Sequence, residues 1–264
     1  MTATLRSEWV KLRTQRGTLI ALGAMCVLMV GMTAFFAAEA ETNAVLGGDD
    51  DLVQMGLAGI VFAELAVVVA GASLITGEFA TGMLRTTFTA TQSRLRVLLA
   101  KAIVLSLVTF PLALVTSAAA FSVAQPLLRD GGYRAPAYPP ASLTDPGVPR
   151  AVVGTALLLT AYALFALGVG AILRHSGAAI AAGIGVIFVP FLFLGAFPEH
   201  VSSRIQQLTP LAGMAIHSTT GRMLAPFDGR SGMPIGPWEG LGVAFAWALG
   251  SLVLGYALLR TRDL

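Results

Sequence analysis

The chain is poor in what a soluble catalyst is usually built from: of 264 residues one is cysteine, three are histidine, two are lysine and 12% are charged. A soluble domain carries about a quarter charged residues, so a second, water-soluble domain has no segment to occupy. The lone thiol, Cys26, permits no intrachain disulfide and excludes thiol-based metal or redox chemistry. It sits in an apolar run and reads as a small core residue. The lysines, in Val10-Lys11-Leu12 and Ala100-Lys101-Ala102, follow no glycine-rich turn. The phosphate-cradling P-loop is therefore absent, and no ATP hydrolysis is expected on this chain. No His-Glu-x-x-His is present, and His175, His200 and His217 lack metal-ligand spacing. No catalytic residue, metal site or cofactor of the chain's own is expected.

What the chain has is hydrophobicity, at 56% of residues and a mean hydropathy of +0.78. Six apolar stretches, near 18–38, 54–76, 97–124, 151–173, 177–197 and 240–259, have the length of membrane spans. A hydrocarbon core of about 30 Å needs about 20 helical residues. Lipid offers backbone amides no partner, so runs this long are helices, since barrel strands are shorter and alternate. The expected fold is all-α, one polytopic domain over 1–264 with six transmembrane helices.

Charge sets the expected orientation. With both termini in the cytoplasm, eleven of the seventeen basic residues fall on inner segments, while Glu39, Glu41, Asp49, Asp50 and Asp51 crowd the first outer loop without a base. This obeys the positive-inside rule and places the chain in the cell (inner) membrane, with no role for nucleic acid in its net charge of +3. The preference for arginine over lysine suggests a GC-rich bacterial genome. Ala38-Glu39-Ala40 imitates a secretory cleavage site, but the apolar run before it is too long for a cleaved signal. Thr4 to Gln15 aligns Leu5, Trp9 and Leu12 on one helical face, as expected of an amphipathic helix at the membrane surface.

Two outer loops are long. Gln125 to Arg150 holds six prolines and is expected to be extended and irregular. Pro198 to Glu239 is rich in Ile, Leu and Met and is expected to fold back onto the outer ends of the bundle. Gly229-Arg230-Ser231-Gly232 copies the Gly-x-Ser-Gly of rhomboid proteases, but all three histidines precede it, against the order such a protease needs. Gly177, Ala181 and Gly185 line one face of the fifth span, where a neighbour can approach closely. Pro111 and Pro190 mark kinks in spans three and five. Glu64 is the one carboxylate inside a span, and at that depth it must face protein or a water-filled cavity. It is the candidate for the substrate path or a dimer seam; a neutral, hydrogen-bonded structural carboxyl is the alternative.

The inner connection between spans two and three is the most informative stretch. It reads Thr76-Gly77-Glu78-Phe79-Ala80-Thr81-Gly82-Met83-Leu84-Arg85-Thr86-Thr87-Phe88, then Ser93-Arg94-Leu95-Arg96 and Lys101. Gly77 is expected to break the helix, and Ser93 to cap the next one. Apolar residues interleave with cations here, which favours a docking surface over a polybasic lipid anchor. Glu78, Thr81, Gly82, Arg85, Thr86, Thr87, Arg94 and Lys101 match a Glu-x-x-Thr-Gly-x-x-Arg-Thr-Thr pattern followed by a basic turn and a lysine. On these residues the chain resembles the permease subunits of type-2 ATP-binding-cassette (ABC) transporters; Gln92 departs from the proline often found there.

The resemblance implies an exporter in which two permease subunits, most simply a homodimer, form the path and two cytoplasmic ABC ATPase subunits, carrying ATP and Mg, dock on the 78–96 segment. It assigns coupling to the ATPase to Glu78, Gly82, Met83, Leu84, Arg85, Phe88 and Arg94. A membrane scaffold or regulator that transports nothing is the alternative, with an intramembrane protease behind it.

Overall fold

The computed structural model describes residues 2–40, 50–83, 93–135, 138, 139, 141–193, 197–219, 222, 223, 231, 232 and 235–261. Among them the helices are α1 (Thr2–Thr14), α2 (Arg16–Glu39), α3 (Leu52–Met55), α4 (Ile60–Ala80), α5 (Arg94–Asp130), α6 (Val148–Leu173), α7 (Ser176–Leu192), α8 (Glu199–Leu208) and α9 (Pro237–Thr261). A 3-10 helix, Pro210–His217, follows α8, and Arg222–Met223 pairs antiparallel with Ser231–Gly232. The fold is a polytopic all-α membrane bundle.

Five helices, α2, α4, α5, α6 and α9, are long and apolar enough to cross a membrane. The fifth expected span is represented by α7, apolar but 17 residues long. At 1.5 Å per residue it falls a little short of the hydrocarbon core. Residues 194–196, at its expected end, lie outside the described residues.

Several boundaries differ from expectation for local reasons. The second span starts at Ile60, not 54, because α3 forms a separate turn: the Asp51 side chain accepts from the Val53 and Gln54 amides at 3.1 Å each. Gly59 then passes so close to α2 that a Cβ there would lie 2.1 Å from the Met29 carbonyl oxygen, and its amide donates to Thr33 Oγ1 at 2.9 Å. At the other end α4 runs through Gly77 to Ala80. Gly82, at φ +68°, makes the turn instead. α5 runs 37 residues, through Pro111 and Pro126, well past the expected exit at 124. Its excess end is no irregular loop because Leu128, Tyr133 and Tyr138 bury against Ala37 and Ala124. The Pro198–Glu239 segment does fold back: every residue of the 3-10 helix is buried, packed on α6 and α9.

α6 is the centre, flanked by α4, α5, α7, α9 and the 3-10 helix. Small residues permit this, since helices in lipid gain from close packing and not from hiding apolar surface from water. A Cβ on Gly71 of α4 would fall 2.1 Å from the Ala163 carbonyl oxygen, and one on Gly168 of α6 2.2 Å from Ser251 Oγ of α9. On α7 the buried line is Ala179, Gly183 and Ile187, with Gly183 against Val68. The expected Gly177–Ala181–Gly185 face points away from the bundle, with no neighbouring helix against Gly177 or Gly185.

Gly71→Ala should therefore destabilise the bundle by about 1–3 kcal/mol through overpacking against backbone. Gly185→Ala, with nothing within 4 Å of its Cβ, should leave stability unchanged or slightly raised. Paired thermal-unfolding scans in one detergent measure both.

Candidate functional site

Where α1 meets the ends of α4 and α5, four ionisable side chains converge out of water. Lys101 of α5, 1% exposed, donates from Nζ to Glu8 Oε2 of α1 at 2.6 Å and to Glu78 Oε1 of α4 at 2.7 Å. Lys11 Nζ, one turn along α1 from Glu8, lies 2.7 Å from Glu8 Oε1 and 3.0 Å from Glu78 Oε1. Two cations and two carboxylates thus form one neutral set joining three helices. Unpaired, any member would carry a desolvation cost of several kcal/mol; together each ion supplies its neighbour's counter-charge. Burial pulls the Lys11 ammonium down, but the hydrogen bond to Glu8 and the charges of Glu78 and Glu8 outweigh it and hold it above the ordinary lysine value.

The expected face of α1 divides between the bundle and its surface. Leu12 is buried and Leu5 packs on the core, but the residue beside them is Glu8, while Trp9 is exposed. Gln15 breaks α1 from α2 in an extended conformation and donates from Nε2 to Ser73 O of α4 at 2.7 Å. α1 is therefore fastened to α4 twice.

The other expected coupling residues lie around this cluster. Gly82 has no neighbour within 4 Å of a built Cβ, and Met83 is 46% exposed. Leu84, Arg85 and Phe88 lie outside the described residues. Ser93 caps α5 through the Arg96 amide at 3.4 Å, as expected. Arg94 turns inward and donates to the Leu259 carbonyl near the end of α9. Arg174, one of the eleven basic residues expected on inner segments, does the same for Leu258 at 3.3 Å, with its guanidinium 5.5 Å from the centre of the Phe79 ring. Two arginines thus meet the carbonyls near the C-terminus of α9, where the helix dipole favours cations. Arg174 is also the one described non-glycine residue at positive φ, 57°.

Glu64 is 4% exposed, buried among this chain's own helices, and its Oε2 has no hydrogen-bond partner. Tyr162 of α6, within electrostatic reach of Glu64, donates to Pro210 O at 3.0 Å and so ties the bundle centre to the 3-10 helix.

At the end opposite α1, Asp51 does more than cap α3. It accepts from Thr219 Oγ1 at 2.7 Å and from the Thr219 amide, which latches the end of the fold-back segment. Arg150 Nη2 adds a bond to Ser218 O at 2.7 Å. His217 is buried beside this latch, and burial pushes its imidazole down to about 4 against the smaller opposing pull of Asp51.

Among models of protein families, the one described as ABC-2 family transporter protein matches residues 4–128. The match includes Glu8, Lys11, Glu64, Glu78 and Lys101. No curated protein matches the chain.

Lys101→Met, which leaves two buried carboxylates short of a counter-ion, should cost about 3–5 kcal/mol, and Lys11→Met, at the more exposed edge, clearly less; thermal unfolding in detergent compares them. His217 supplies a pH dependence. Its folded value lies below the unfolded one near 6.5, so below that pH the unfolded chain takes a proton that the folded chain refuses. Stability should fall as pH drops from about 6.5 toward 4, by at most about 3 kcal/mol. His217→Gln should remove that part of the slope in unfolding midpoints measured across the range.

Proposed function

We propose that this chain, whose residues 4–128 match the family described as ABC-2 family transporter protein, is an ABC-2 type membrane permease and the path-forming subunit of an ATP-driven exporter. Two copies line the path, and a separate cytoplasmic ABC ATPase, holding ATP and Mg, docks on the segment beginning at Glu78. Hydrolysis belongs to that partner in this reading, since neither lysine of this chain follows the glycine-rich turn of a P-loop.

The observation that carries the reading is how the segment is held. Glu78 is locked into the charge cluster with α1 and α5, while four and five residues later Gly82 has open space around its Cβ position and Met83 is half exposed at the surface. A rigid root with a protruding tip is what a lever needs. A displacement of the tip reaches α5 through Lys101 and α1 through Glu8 and Lys11, because separating any pair strands a buried charge. Phe79, beside Glu78, carries it to Arg174 and so to α9. Glu64 lies on the same α4, so movement of that helix also moves the buried carboxyl. Apolar spans offer such a path apolar walls, which suits an amphipathic substrate.

Co-expression with candidate ATPases and reconstitution into liposomes tests this. Gly82→Val, strained at φ +68°, should cut transport by about tenfold or more while ATP turnover persists, since an altered lever uncouples two steps that each remain intact. Transport by the chain alone, with no ATPase present, overturns the reading.

A further inference from the structure

Beside the charge cluster a half-open cleft of about 340 Å³ is lined by Lys11, Thr14, Gln15, Gly77, Glu78, Thr81 and Met83. Its hydrogen-bonding groups are unequally used. The Thr14 hydroxyl donates to the Val10 and Lys11 carbonyls at 3.0 Å each, the Thr81 hydroxyl to Gly77 O at 3.0 Å, and Gln15 Nε2 to Ser73 O at 2.7 Å. Lys11 is bound to both carboxylates. These donors are engaged, whereas the hydroxyl oxygens keep lone pairs. Glu78 is 6% exposed, and both lysines converge on its Oε1. Its Oε2 is buried and has no partner. A buried carboxylate oxygen left unpaired is costly, and a cleft beside it with open acceptors and spent donors disfavours an anion and favours a donor-rich cation.

We propose that this cleft is a binding site for one guanidinium or primary ammonium group, held by Glu78 Oε2 with the hydroxyl oxygens of Thr14 and Thr81 completing its hydrogen bonds. The group replaces no existing bond: Oε1 stays with Lys11 and Lys101, and a small shift of the side chains over the second oxygen, which is closed off from solvent in this structure, opens it to the cleft and to its missing donor. The need for a donor excludes tetramethylammonium, which has a charge but no N–H to give. Two sources bear the right chemistry, a free small-molecule amine and an arginine or lysine side chain presented by a docked protein. The site itself depends only on the chain's own residues, so it stands or falls apart from the coupling reading; a presented side chain would be that reading's partner contact.

The test uses the full chain in phosphatidylcholine nanodiscs, with Cys26→Ala and Met83→Cys and a maleimide whose labelling rate reports access to the cleft. Ethylguanidinium and methylammonium chlorides should slow labelling saturably, and tetramethylammonium or sodium chloride at equal ionic strength should not. Half-saturation in the roughly millimolar range assigns the site to a side chain whose effective concentration is supplied by docking. Half-saturation about a hundredfold lower or more assigns it to a free amine, since a side chain presented by docking needs no such intrinsic affinity. Glu78→Gln should abolish the protection. Thr81→Val, which leaves the ion cluster whole, should weaken it about threefold or more, the share of one hydrogen bond, with size-exclusion profiles confirming that both variants fold. No protection by either cation, equal protection by sodium or tetramethylammonium, or protection unchanged in a folded Glu78→Gln variant overturns the proposal.

Discussion

Two lysines and two glutamates cannot leave water one at a time. That constraint organises the α1 end of the molecule: Lys101 sits within an otherwise apolar helix, so Glu78 must reach it from α4 and Glu8 from α1. Lys11 then balances the second carboxylate. Net attraction in such a set is modest once desolvation is counted, but the cost of losing any member is not. The cluster is therefore better understood as a specification of which helices meet, and in what register, than as a store of stability.

The rest of the fold follows two other rules. Along the centre, α6 meets its neighbours through glycines at 71, 168 and 255, where backbone lies against backbone or side chain with no room for a methyl group. At the far end the polar groups return. Asp51 holds Thr219, Arg150 holds Ser218, and the 3-10 helix between the spans and the fold-back segment is buried as fully as a core strand would be. Charge specifies one end, contact distance the middle, and hydrogen bonding the other end.

Much of this was legible in the sequence because lipid enforces it. Apolar run length identified α2, α4, α5, α6 and α9, and an unpaired polar backbone cannot lie in hydrocarbon whatever the neighbours. The misreadings share a cause, the action of residues remote in sequence. Gly77 looked like a helix stop, but Glu78 behind it is neutralised by lysines, so α4 continues to Ala80. Gln125 to Arg150 looked like a proline-rich loop, yet Leu128 and the two tyrosines find Ala37, and α5 persists to Asp130. The small-residue face of α7 was identified by spacing alone, and the packed glycine is Gly183, on a different face. Glu8 had no local signal as a buried ion, because its partner Lys101 is 93 residues away.

That separation also bears on biogenesis. As the chain emerges, α1 and α2 are complete while Glu8 has only Lys11 of its own helix for a partner, so the N-terminal helix has no ionic anchor in the bundle at first. It can settle into its final seat only when the third hydrophobic segment delivers Lys101 and the second has delivered Glu78. The order of synthesis thus becomes an order of docking, with the first helix made among the last to be seated at its own end of the protein.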